Sequence, residues 1–115
     1  MSRSMRPALV AILEAVAGIE EATAGLTLED YRTSWLLRRG VERGIEIISE
    51  ASRRIPDEVK ATQPDIRWDE IAGIGNVLRH EYHRISDIIV WRVAVEHLAG
   101  LKQVVLEILG DLGPE

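Results

Sequence analysis

Apolar residues recur in this chain at steps of three and four. Leu9, Ile12, Val16 and Ile19 form one stripe, and Leu37, Val41, Ile45, Ile48, Ala51 and Ile55 form a second. Ile71, Ile74, Leu78 and Ile85 continue the pattern, as do Val90, Ala94, Leu98, Leu101, Val105 and Ile108. That period puts each set on one face of an α-helix, whereas a half-buried strand would alternate at every second residue. Four such stripes joined by short connections predict an all-α fold, an up-and-down antiparallel four-helix bundle with a short additional helical turn.

Local signals place the boundaries. The first helix is expected from Met5 to Thr23. "AGLTLED" then offers a glycine break and a capping box, with Thr27 at the cap and Asp30 three residues on. The second helix should run from Leu28 to Arg54 and stop before Pro56. "PDEVKATQPD" reads as the short extra turn between Pro56 and Pro64. A third helix starts near Asp65 or Trp68, and Ser86 caps the last, which runs on to "GDLGPE". At 115 residues, residues 1–115 read as a single helical domain.

Composition narrows the function classes. The chain has no cysteine, which removes disulfides, thiolate metal sites and cysteine nucleophiles together. Phe is absent too, so core bulk must come from Leu, Ile, Val and three Trp, which are expected in the core or an interface. Charges interrupt every apolar run well short of a membrane span. Glu14, Glu20 and Glu21 break the apolar patch after the basic N-terminus, so the start reads as that of a mature cytoplasmic protein, not a leader peptide. The net charge of −5 weighs against a simple phosphate-gripping module, and any RNA contact would have to be local.

One stretch concentrates reactive side chains. "GIGNVLRHEYHR", residues 73 to 84, holds Asn76, Arg79, His80, Tyr82, His83 and Arg84, with Gly73 and Gly75 inside what should be helix. Each glycine costs roughly 1 kcal/mol relative to alanine there. His80 and His83 are three apart, not the four of a zinc helix, and no third ligand lies nearby in sequence, so no metal is expected. Two readings stay open. The stretch is a solvated helix face, or it is a proton-transfer pocket in which His80 stands one turn after Asn76 and Tyr82 borders the apolar stripe. Arg38 and Arg39 either reach a phosphate or simply solvate the second helix, and His97 reads as an edge residue. Glu50, in "IISEAS", is either a semi-buried brace or a surface carboxylate.

"WDEIAGIGNVLRHEYHRISDIIVW", residues 68 to 91, resembles the signature region of the HepT-like toxins of the HEPN ribonuclease superfamily. That region reads W-x-x-I-x-G-x-R-N-x-L-x-H-x-Y followed by D-x-x-x-[VI]-W. Trp68, Ile71, Gly73, Asn76, Leu78, His80, Tyr82, Asp87 and Trp91 match in order. The likeness extends over about residues 27 to 108 and includes "IISEAS", where the family commonly reads I-G-E-A.

The resemblance implies a metal-independent endoribonuclease with no cofactor, the toxin of a toxin–antitoxin pair. It implies a homodimer, with His80 as the catalytic histidine. It also implies a minimal nucleotidyltransferase antitoxin of the MntA type that adenylylates Tyr82. The departure is at position 75, where the family's catalytic arginine is replaced by Gly75. Three explanations stand: an inactive variant, a form kept for binding its partner, or compensation by Arg79, whose side chain leans back over the turn that Gly75 leaves open.

Overall fold

The computed structural model describes residues 5–81 and 86–114. It is all-α, with no strand among the described residues. The first helix, α1 (Met5–Thr23), buries Leu9, Ile12, Val16 and Ile19 as the stripe predicts. Thr27 then forms the expected capping box: its backbone N–H donates to Asp30 Oδ2 at 2.8 Å, and Asp30 N–H donates to Thr27 Oγ1 at 3.1 Å.

The second helix is two helices. α2 (Leu28–Thr33) stops at Ser34, whose backbone is extended, and α3 (Trp35–Ser52) starts directly after it. Ser34 Oγ accepts from Leu37 N–H at 3.1 Å, so the serine caps the new helix instead of continuing the old one. A serine in mid-pattern competes in this way because its hydroxyl can replace a helical backbone acceptor. The break swings α2 away from α3 so that Tyr31 is fully buried, with its ring 5.5 Å from that of Trp91.

The turn between the prolines is α4 (Asp57–Lys60), and α5 spans Trp68–Glu81. Ser86 caps α6 (Asp87–Arg92) by accepting from Ile89 N–H. The last helix is continuous but not uniform. It widens into a π-helical turn at Val93–His97 before α7 (Leu98–Leu112). No residue of this segment signals such a turn in sequence.

α3 is the central element, packed against α1 on one side and α5 on the other. Gly44 permits the first contact: a Cβ there would stand 2.7 Å from Ile19 Cδ1 and 2.9 Å from Cγ1. α1 also packs on α7, and Arg6 donates to the Gly113 carbonyl at 2.6 Å to tie the two helix ends together. Trp68 and Trp91 pack against the core, as expected of tryptophan. Trp35 does not. It is 64% exposed beside Leu36 at 75%, in the first turn of α3 directly after the break at Ser34.

These packing differences predict opposite effects for two glycines of one helix. Gly44→Ala should destabilise the fold by about 1–3 kcal/mol, since Ile19 must move. Gly40, with open space around it, should become up to about 1 kcal/mol more stable as alanine. Urea unfolding of the two variants measures both.

Candidate active site

α5 runs antiparallel to α3 and is pinned to it by two donors one turn apart. Ser49 Oγ donates to the Ala72 carbonyl at 2.8 Å, and Arg53 Nη2 donates to the same oxygen at 2.7 Å. The contact is close because Gly75 has no side chain. A Cβ at position 75 would collide with both Oγ and Cβ of Ser49, with Glu46 Cα 3.6 Å away. Gly75 is buried; Gly73 is exposed and has nothing near it. Of the two glycines in the motif, only Gly75 is required by packing.

Ala72, Asn76 and His80 follow one another at four-residue steps and form one ridge of α5. Asn76, Arg79 and His80 are all exposed. His80 and Asn76 are therefore neighbours on an accessible surface, the arrangement a proton-transferring imidazole with an amide partner needs. Arg79 is also accessible, and no hydrogen bond or ion pair to a described residue fixes its guanidinium. Tyr82, His83 and Arg84 lie outside the described residues, so the Tyr82 role and the His80–His83 pair have no structural description.

Beside that seam an apolar cleft of about 700 Å³, floored by Ile45 and Ile48 of α3, separates α5 from α6, the π turn and α7. Ile71, Ile74 and Val77 form one wall, and Ile89, Val93 and Leu98 the other. His97 stands at its rim, exposed.

A second polar group gathers where α2, α3 and α6 meet. Arg38 and Arg39 are half-buried there, not simply solvated. Arg39 pairs with Glu42 at 3.1 Å, and Glu42 is only 8% exposed. Burial pushes the Glu42 carboxyl above its ordinary range. Arg39 and Arg38 oppose that shift, while Asp87 and Glu46 add to it. The Tyr31 hydroxyl is buried with no hydrogen-bond partner among the described residues, and burial, Glu42 and Asp87 all hold it protonated. Of the two readings of Glu50, the surface one fits, since it is exposed; the buried carboxylate is Glu42, two turns earlier on α3.

Ser49, Arg53, Glu42 and Tyr31 are the residues that sequence reasoning passed over. Ser49 lies in "IISEAS", where the resembling family commonly has glycine, and that difference was the available signal. Nothing in sequence marked the other three.

The match to the family described as ribonuclease HepT-like covers residues 12–108. The chain belongs to this HepT-like family. It is 35% identical over 102 residues to a protein of Thermococcus cleftensis named "Probable ribonuclease HepT", covering 89% of this chain and 93% of the relative. A candidate RNase of Caldanaerobacter subterraneus subsp. tengcongensis is 33% identical over 107 residues, covering 93% and 96%. Another from Methanocaldococcus jannaschii is 31% identical over 101 residues, covering 88% and 93%. No solved structure matches significantly. Among the described residues no helix is long and apolar enough to cross a membrane.

Two measurements test the packing and the electrostatics. Gly75→Ala should cost about 1–3 kcal/mol. In a Ser49→Gly background the same change should cost almost nothing, because the colliding atoms are gone; additive effects in that double-mutant cycle would contradict the contact. The raised Glu42 pKa means that the folded state holds its proton to higher pH than the unfolded chain does. Its contribution to stability is then full below the ordinary carboxylate pKa and is lost as pH rises through the raised value. Urea titrations from about pH 4 to about pH 7 should show this fall in the parent and a flatter profile in Glu42→Gln.

Proposed function

We propose that this chain is the toxin of a toxin–antitoxin pair, an endoribonuclease of the HEPN type that works as a cytoplasmic homodimer on RNA. The observation that carries the reading is the accessible His80–Asn76 pair on α5 of a HepT-like chain. In this reaction the 2′-oxygen of the RNA bonds to the adjacent phosphorus while the bond from phosphorus to the 5′-oxygen breaks. His80 takes the proton from the 2′-hydroxyl and returns it to the leaving 5′-oxygen, giving a 2′,3′-cyclic phosphate and a free 5′-hydroxyl. A histidine suits this because it gains and loses a proton near neutral pH. The chemistry needs no metal or cofactor from the protein.

The antitoxin in this reading is a minimal nucleotidyltransferase that adenylylates Tyr82. The modification would add bulk and negative charge two residues from His80, repelling an incoming phosphodiester.

A second reading is favoured by one observation. Gly75 is packed against Ser49, so position 75 cannot carry the family's arginine without moving α3 from α5. A chain built this way could bind its nucleotidyltransferase without cutting RNA. Cleavage of a labelled single-stranded RNA by the parent and by His80→Ala separates the two. The first reading expects cyclic-phosphate products from the parent and a loss of about 10²–10⁴-fold in the variant. No parental cleavage supports the second. Intact mass after co-expression with the neighbouring nucleotidyltransferase, if the gene adjoins one, should show added AMP on the parent and none on Tyr82→Phe.

A further inference from the structure

A cation on the neighbouring helix stands close to the turn that precedes position 75. Arg53 is exposed at the end of α3, and its guanidinium is fixed on the Ala72 carbonyl at 2.7 Å. Ala72 heads the ridge that continues through Asn76 to His80. Because α3 and α5 are antiparallel, Arg53 reaches α5 one turn before Gly75. An arginine at 75 would lean back over the same turn, since helical side chains point toward the N-terminus. Ser49, one turn before Arg53 on α3, donates to the same oxygen and occupies the space of the absent Cβ. One residue thus fills the gap and the next on that face supplies a positive charge.

From this we infer that Arg53 is a phosphate-binding residue of the RNA site, delivering across the α3–α5 seam the charge stabilisation that position 75 cannot. The inference rests on the reading of His80 as the proton-transfer group. Ala72 and His80 are two turns apart, and a helical side chain at position 80 leans back toward Asn76. The two heads are then left about one turn apart, ~5.4 Å, a gap that a phosphodiester can bridge with a hydrogen bond on each side. A guanidinium carries five N–H donors, and only Nη2 is engaged with Ala72, so donors remain for a phosphate oxygen. Its tether also pre-organises it, which counts most when charge develops on the phosphate oxygens in the transition state. Arg79 has no such tether to a described residue.

The test uses the purified full chain and a 5′-labelled single-stranded RNA. Arg53→Ala should lower kcat by about 10²–10³-fold while lowering the melting temperature only slightly, since Ser49 still ties Ala72 to α3. Arg53→Lys should recover only part of it, and added guanidinium ion at non-denaturing concentration should partly restore Arg53→Ala. Arg54→Ala, its exposed neighbour, should cleave like the parent. In the Ser49→Gly/Gly75→Arg double variant, loss of Arg53 should matter little. Arg53→Ala cutting like the parent while His80→Ala is dead overturns the inference and leaves the ribonuclease reading standing. So does loss of activity in Arg79→Ala alone. A silent parent with an active double variant overturns it as well, and places the parent as a disabled toxin. Silence in both removes the ribonuclease reading, and the role of Arg53 with it.

Discussion

The contact between Ser49 and the backbone of α5 at Ala72 and Gly75 governs the rest of this architecture. It sets how near α5 comes to α3, and with it where Asn76 and His80 face solvent. A glycine inside an isolated helix is a loss of roughly 1 kcal/mol. Here the missing side chain admits a buried serine hydroxyl that finds an acceptor at 2.8 Å. A hydroxyl buried without such a partner would cost more than the glycine does. Gly75 and Ser49 are therefore one feature, and neither is understood alone. The same device recurs on the other side of α3, where Gly44 admits Ile19. Close approach on both flanks makes α3 the spine of the bundle.

That arrangement gives α5 two different seams. Ile71, Ile74 and Val77 look across an apolar cleft, floored by Ile45 and Ile48 of α3, toward α6 and the π turn. A wide, weakly filled seam beside the proposed site helix contrasts with the tight seam at Gly75. The two seams divide the labour within one helix: the tight one holds the ridge that carries Asn76 and His80, while the loose one costs burial that a fuller bundle would have gained.

Helical periodicity was enough to read the bundle in the sequence. Thr27, Asp30 and Ser86 cap where their side-chain chemistry says they should. The breaks were not legible. Ser34 interrupts a pattern whose apolar spacing stays in register across it, because the serine acts through a backbone hydrogen bond that hydrophobic spacing does not encode. The π turn at Val93–His97 likewise leaves the stripe from Val90 to Leu101 intact. Within the proposed site, the adjacency of His80 and Asn76 was legible because four-residue spacing alone makes them neighbours. Arg53 and Ser49 were not, since their importance comes from the register of α3 against α5, a relation between segments about two dozen residues apart. Burial of Arg38, Arg39 and Glu42 was hidden for a related reason. Charged residues read as solvent-facing until the kink at Ser34 folds α2 and Tyr31 over them.

The pairing of Ser49 with Gly75 also changes what the missing arginine means. Read from the sequence, Gly75 is a single lost residue, and restoring it looks like one substitution. Read in three dimensions, arginine at 75 meets Ser49 before its guanidinium can reach anything, so the lone replacement tests packing and chemistry at once and separates neither. Opening position 49 first removes the steric part of the barrier and leaves the chemical part exposed. A helix seam that has closed over a glycine stays closed to a one-step return. In the proposed reaction the charge would then come from a residue already standing at the rim of that seam, and Arg53 is held there by the same carbonyl that anchors Ser49.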